Sequence, residues 1–470
     1  MPHASASPDR RATLALVVAF VLLLPAITAR LNASDEIEFF AWLRSWTFDR
    51  DVNFENEYRY FHDQAPDKHT GLRQTFLEGL NEAGRRPNFT PIGTAILWSP
   101  FYLAGHLVAL ATDAPEDGFS RPYLAAVTFG SAVYGLAALL LSAAFTRRAF
   151  GRPAGWAAWI VWLGTPLLFY MYVAPGFSHA ASAFVVALFL WVWLRVRQTW
   201  TPRGALALGA TAALLPMIRE QDAFFVIGPA VDFLVWSWRR LRDAPTGAAP
   251  AAARAVGTAA VAGVVAAVVT YVPQALAYLA LNGHVGPTST VTRKMSWSSP
   301  HFLGVLFSPE HGLLFWTPLV IVAAVGLVAA ALGRRSFAAD QRWMATLLLA
   351  MVVAQAYISG AVESWTVAGS FGQRRFVAIT PMLVTGVAIV LAMVRTTAPQ
   401  RTIAAVTLGL AIWWNVGLMV LFGLHLMDRQ RLEPGRNAVA VFWQVPRDLP
   451  LVAWRYLTAR ESLYDLPRRE

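Results

Sequence analysis

The sequence predicts an all-α, polytopic membrane protein with about eleven transmembrane helices, and three observations carry that prediction. Of the 470 residues, 56% are hydrophobic and only 14% charged, against roughly 25% charged in an ordinary soluble domain; the mean hydropathy is +0.46. The apolar residues fall into repeated runs of about the length that crosses a bilayer. The basic residues sit in short clusters between those runs, the pattern of a topology signal. The net charge of +11 therefore does not point to nucleic acid. There is no cysteine, which excludes disulfides, thiolate metal sites and cysteine nucleophiles. Usage rich in Ala and Arg and poor in Lys has a bacterial character.

Taken in order, the first apolar run, 12–29, follows Arg10 and Arg11 and is expected to be an uncleaved helix entering from the cytoplasm. It leads into an acidic stretch: eleven of the 28 acidic residues lie between Asp35 and Glu82. Ser34-Asp35-Glu36 has the form of a helix start, with Ser34 as N-cap and the acids complementing the dipole in the first turn. Phe39, Trp42, Leu43 and Trp46 then recur at helical spacing, the stripe of a helix lying on a membrane surface.

The run 91–111 is long enough to span but holds Pro91, Pro100 and His106. Later spans are expected over 122–146, 154–174, 180–196, 204–218, 222–238, 255–281, 311–332, 343–362, 376–395 and 402–424. If 91–111 stays on the outer face as a re-entrant or juxtamembrane helix, seventeen basic residues, among them Arg147, Arg148, Arg239, Arg240, Arg334, Arg335 and Arg395, gather on one side with only Asp9, Asp243 and Asp340. That asymmetry marks a cytoplasmic face. Residues 1–424 then form the transmembrane domain, with the loop 31–121 extracytoplasmic, and 425–470 form an extracytoplasmic tail. The polar chemistry gathers on the outer face, while the inner loops hold little but arginine.

A first helix, then Asp35-Glu36 opening a large outer loop with aromatic-rich helices, then Pro91-Ile92-Gly93, then a span ending in Arg147-Arg148-Ala149-Phe150-Gly151, and Arg219 at the outer end of a later span, resemble the GT-C superfamily of integral membrane glycosyltransferases. The branch resembled is that of the protein O-mannosyltransferases and lipid A aminoarabinose transferases. The topology resembles the family over about 12–424, while the motifs cover only short parts. The stretch from Gly369 to Phe376 resembles bacterial members whose substrate is open.

The resemblance implies a polyprenyl-phosphate-linked sugar as donor and transfer, with inversion, to an extracytoplasmic lipid, glycan or protein acceptor at the bacterial cytoplasmic membrane. Such chemistry needs a positioned carboxylate as base and cations for the departing phosphate. Asp35 is then the expected catalytic residue with Glu36 in support, and Glu55 and Glu57 are candidates for a second carboxylate; the blander readings are a helix start and a solvated loop face. Arg374, Arg375, Arg219, Arg293 and Lys294 are the expected phosphate contacts. Arginines at span ends also simply snorkel, and Arg219 sits beside Glu220 and Asp222 with an internal salt bridge as the alternative.

His179, Trp365 and Glu363 are candidates for acceptor or sugar binding, with a structural hydrogen bond as the alternative for His179. Asp35, Glu36, Glu55 and Glu57 also have the oxygen ligands a divalent cation takes, and the sequence leaves that open. The competing class is a transporter or flippase; the mid-span charges it needs are missing from 122–146 and 255–281, and no internal repeat is found.

Overall fold

Proline divides three of the expected apolar runs, at Pro25, Pro166 and Pro318, because it donates no backbone N–H and clashes with the preceding turn. A computed structural model describes residues 8–66, 70–367, 369–394 and 397–464; Asp67 of the acidic stretch and Arg395, counted above on the cytoplasmic face, lie outside the described residues. Helix α1 (Pro8–Leu22) stops short of the expected 29, giving way at Pro25 to the 3-10 turn Leu24–Ala26. There follow α2 (Ser34–Arg44), α3 (Glu55–Gln64), α4 (Gly93–Leu110) and α5 (Arg121–Phe150). The expected span 154–174 is divided at Thr165-Pro166 into α6 (Gly155–Gly164) and a short helix Leu167–Tyr172.

Next come α7 (His179–Val196), α8 (Pro202–Ile218), the 3-10 turn Glu220–Val226, α9 (Ile227–Arg242) and α10 (Ala249–Asn282). Pro318 divides the run 311–332, leaving α11 (Leu319–Leu332). The chain closes with α12 (Ala339–Ala361), α13 (Thr380–Met393), α14 (Ala398–Gly423) and α15 (Val445–Thr458). Among the described residues there is no strand.

Among the described residues, seven helical runs are long and apolar enough to cross a membrane, and α6, α8 and α11 are shorter apolar helices. One of the seven is α4, which is a single continuous helix through Pro100. On α10 the side chains of Val261, Val264, Val268 and Val269 are exposed. A row of bare valines along a 34-residue helix is stable against lipid and not against water, so the chain is an integral membrane protein.

The contacts divide the chain into two units. One comprises Thr28–Tyr134 and Ala174–Met295. Here α8 packs against α7 and α10, and α2 against α4, around an aromatic core of Phe40, Trp42, Phe54, Tyr58, Tyr102 and Tyr123. The other comprises Met1–Ile27, Gly135–Val173 and Ser296–Glu470. In it α6 packs against α1, α13 and α14, and α11 against α12 and α13. The Asp9 carboxylate accepts the backbone N–H groups of Ala154 (2.8 Å) and Gly155 (2.6 Å), tying α1 to the start of α6. At the other end, Tyr456 on α15 donates to the carbonyl of Ala26 (3.0 Å), and Arg460 donates to those of Pro25 (2.7 Å) and Ile27 (2.8 Å).

The stripe Phe39, Trp42, Leu43 and Trp46 does not lie on a membrane surface. Phe39, Trp42 and Leu43 are buried, Trp46 is half-buried, and Ile37, Phe40 and Ala41 on the remaining faces of α2 are buried too. A helix apolar on all sides belongs in a core, and the Trp42 indole donates to the Thr90 carbonyl at 3.0 Å inside it.

Candidate functional site

The start of α2 is held by a carboxylate, and not by the serine expected to cap it. Ser34 is already helical, and the capping position falls to Ala33, whose methyl accepts nothing. Glu36, in the first turn, reaches back instead: its Oε2 accepts the N–H groups of Asn32 (2.8 Å) and Ala33 (2.9 Å), two donors a helix start otherwise leaves open. Glu36 is buried, and burial pushes its carboxyl up to about 7 against the pull of those N–H groups. Asp35, next to it in the same turn, is only half-buried.

Glu36 rests on the turn Pro175-Gly176-Phe177-Ser178. A Cβ at Gly176 would come within 2.4 Å of Leu31 and 2.9 Å of the Glu36 Cβ and Oε1, so only glycine lets the turn approach. The turn leads directly into α7, whose first residue, His179, is buried and stacked on Phe177 with ring centroids 5.5 Å apart.

Arg219, extended at the end of α8, places Nη1 at 2.7 Å from His179 Nδ1 and 3.5 Å from Ser178 Oγ. A guanidinium only donates, so Nδ1 accepts. One turn on, the buried Asp222 accepts from Ser182 Oγ at 2.6 Å, while its Oδ1 has no hydrogen-bond partner among the described residues. Glu220 accepts from Tyr278 Oη at 2.6 Å, and burial raises its carboxyl. Glu36, the 175–178 turn, His179, Arg219 and Asp222 thus form one chain of polar contacts through this unit, able to hold an anion at Arg219 and a base at the start of α2.

Elsewhere in the same unit, Glu57 is fully buried and accepts from Arg44 at 3.1 Å, an arginine also paired with Asp49; burial pushes Glu57 up to about 7. Glu55 is half-exposed and shared between Arg59 (2.6 Å) and Arg86 (3.2 Å), and its hydrogen bonds to Arg59 and then Arg86 hold it below the usual range. Arg293 and Lys294 are exposed, with Arg293 donating to Ser289 Oγ at 2.8 Å.

The remaining expected residues belong to the other unit. There Arg375 is buried and donates to Ser359 O (3.4 Å) and Ser364 Oγ (3.1 Å), and Arg374 lies in the 3-10 turn before α13. Trp365 stacks on His301 with centroids 5.1 Å apart, and Glu363 is exposed. Among the described residues no three His, Asp or Glu side chains converge as a cation site.

Sequence reasoning did not single out Gly176, Ser178 or Ser182. The pattern Pro-Gly-Phe-Ser-His ahead of an apolar run was the one signal pointing to them. Asp222 was seen only as a charge partner of Arg219.

No family model matches the chain, and no curated protein matches it. Among solved structures the chain is similar to the crystal structure of ArnT from Cupriavidus metallidurans in the apo state, with 18% identity, 96% of this chain and 73% of that chain covered, and a TM-score of 0.48.

Proposed function

We propose that the protein is a membrane-embedded glycosyltransferase that moves a sugar, with inversion, from a polyprenyl-phosphate-linked donor to an extracytoplasmic acceptor, with the loop 31–121 facing the outside of a bacterial cytoplasmic membrane. The observation that carries this reading is the pinning of Asp35. Glu36 spends its own carboxylate on the backbone of residues 32 and 33, which fixes the turn presenting the more exposed Asp35. A base needs that kind of fixed placement.

In the proposed step the Asp35 carboxylate takes the proton of an acceptor hydroxyl or amine. The acceptor atom forms its bond to the anomeric carbon, and the bond from that carbon to the phosphate oxygen breaks with its electron pair going to phosphate. Arg219, oriented by His179 and Ser178, supplies the cationic group that a departing phosphate requires. The resemblance of Asp35-Glu36, Pro91-Ile92-Gly93 and Arg219 to GT-C motifs supports the same assignment.

Transfer per inserted molecule, measured in membranes for Asp35→Asn with the exposed Glu116→Gln as reference, tests the proposal. General-base catalysis is worth roughly 10²–10⁴-fold, so Asp35→Asn is expected to lose that much while Glu116→Gln keeps its rate. Cells lacking the chain should accumulate polyprenyl-phosphate sugar in lipid extracts. Equal rates for the two variants would return Asp35 to the role of a helix start.

A further inference from the structure

Away from the start of α2, the same unit holds an open cleft of about 720 Å³ lined by Trp46, Arg50, Asp51, Glu55, Arg85 and Arg86, with Ala280 of α10 at its edge. Its charges are not equivalent. The Asp51 carboxylate accepts from Ser45 Oγ (2.8 Å) and the Asn53 N–H (3.0 Å). Glu55 is shared between Arg59 and Arg86. The acids are therefore engaged, and Arg86 is matched, whereas the guanidinium groups of Arg50 and Arg85 make no ion pair among the described residues.

Both arginines are held by their backbones. Arg50 closes the turn after α2 in the left-handed region, at φ 61° and ψ 34°, where glycine or asparagine would sit with less strain; the arginine occupies a costly position and brings only its side chain. Arg85 follows Gly84, whose φ of +70° makes the tight turn that Asn81 closes by accepting the N–H of Arg85 at 2.9 Å. Asn81 also donates to the Leu281 carbonyl at 2.8 Å, which fixes the turn against the end of α10. Trp46, half-buried, is braced on Trp42 with centroids 5.3 Å apart.

We propose that this cleft binds an anionic saccharide, the remote part of the acceptor, with Arg50 and Arg85 gripping its charged group and Trp46 lying against a sugar ring; the acceptor role rests on the glycosyltransferase reading above. A planar guanidinium matches carboxylate and phosphate alike by paired hydrogen bonds, and an indole offers an apolar face to the C–H side of a pyranose. The eleven residue steps from Asp35 to Trp46 put the cleft about 16 Å from the base, at roughly 1.5 Å per helical step. The cleft is thus not where the bond forms. Binding energy gathered there, away from the reacting atoms, is available to position the acceptor.

The test is direct binding to the full chain in nanodiscs, with three probes: a galacturonic acid tetrasaccharide, the same tetrasaccharide with its carboxyls reduced to alcohols, and galactose 6-phosphate. The acidic probes are expected to bind at least tenfold more tightly than the neutral one, and more weakly as salt rises. Arg50→Gln with Arg85→Gln should remove that preference, and Arg50→Lys should restore part of it. The stronger of the two acidic probes identifies the anion as carboxylate or phosphate.

Equal binding of charged and neutral probes, or an acidic preference that survives the double variant, overturns the proposal. Arg239→Gln with Arg240→Gln, far along the chain on α9, controls for the loss of two charges; if it removes the preference equally, the cleft is not the site. Normal probe binding together with full transfer by Asp35→Asn would fail the glycosyltransferase reading and leave the cleft standing. Loss of transfer in Asp35→Asn, with unaltered binding and turnover in the Arg50 and Arg85 double variant, would do the reverse.

Discussion

Glu55 and Glu57 stand two residues apart in the first turn of α3 and live in opposite electrostatic worlds. Glu55 belongs to a solvated region, with Glu82, where hydrogen bonds hold carboxyls low: those from Arg59 and Arg86 for Glu55, that from Ser289 for Glu82. Glu57 belongs with Glu36 to a buried region where desolvation raises both to about 7 despite their hydrogen bonds. The acidic stretch is therefore two populations. Carboxylates of the first kind stay charged, Glu55 between two arginines and Glu82 on the Ser289 N–H. Those of the second divide between charged and neutral forms near neutral pH, so each is poised to trade a proton with its surroundings.

The sharpest way to break that division is pH. A carboxyl whose folded pKa lies above its unfolded value binds more protons in the native state over the window between them, so stability falls as pH rises through it. For Glu36 the window runs from about 4.5 to about 7, and at about 1.4 kcal/mol per unit the loss across it is about 3 kcal/mol. Glu36→Gln keeps an acceptor for Asn32 and Ala33 but cannot ionise. Its unfolding midpoint in detergent should decline less steeply over that window than the wild type's, because Glu57 still titrates there and Glu36 no longer does, and parallel pH profiles for the two proteins would abolish the distinction.

A smaller effect tests the packing that buries Glu36. Gly176→Ala forces a methyl into Leu31 and Glu36, and overpacking of this kind costs about 1–3 kcal/mol; no loss of thermal stability would mean the turn has room. The smallest effect is expected on the solvated side. Glu55→Gln breaks half-exposed ion pairs worth within about 1 kcal/mol. Because the Glu55 carboxyl is held low, its contribution disappears as pH falls through the acid range, so the variant should differ from wild type at neutral pH and converge with it in acid, while the decline between pH 4.5 and 7 stays unchanged.

The order of the apolar helices was legible because it depends on local runs, and α5, α7, α10, α12 and α14 follow the expected spans closely. What sequence periodicity misjudged was α2. Phe39, Trp42 and Leu43 made a stripe only while Ile37, Phe40 and Ala41 were left out, and their burial depends on partners such as Tyr102 and Phe119 that lie far along the chain. Capping by Glu36 was hidden for a related reason: Ser34 had the preferred chemistry for an N-cap, yet the helix began one residue early and left Ala33 in that place. The Gly176 approach to Glu36 and the Asn81 bond to Leu281 join residues so distant in sequence that no local pattern encodes them. His179 and Arg219 were both singled out, but as separate contacts for different ligands; their 2.7 Å approach is a fact of tertiary structure alone.

The grip of Tyr456 and Arg460 on the carbonyls of Pro25, Ala26 and Ile27 bears on how the protein is made. Arg460 lies 433 residues beyond Ile27, and at a synthesis rate of about 5–20 residues per second the first helix waits roughly 20–90 s for the segment that clasps its outgoing end. The unit of Thr28–Tyr134 and Ala174–Met295 has by then emerged in full. Biogenesis accordingly runs inside out along the sequence: the middle of the chain can consolidate while the first helix, tied at its start by Asp9 on Ala154 and Gly155 and touched near its end by Tyr172 on Phe20, still waits for the clasp of Tyr456 and Arg460.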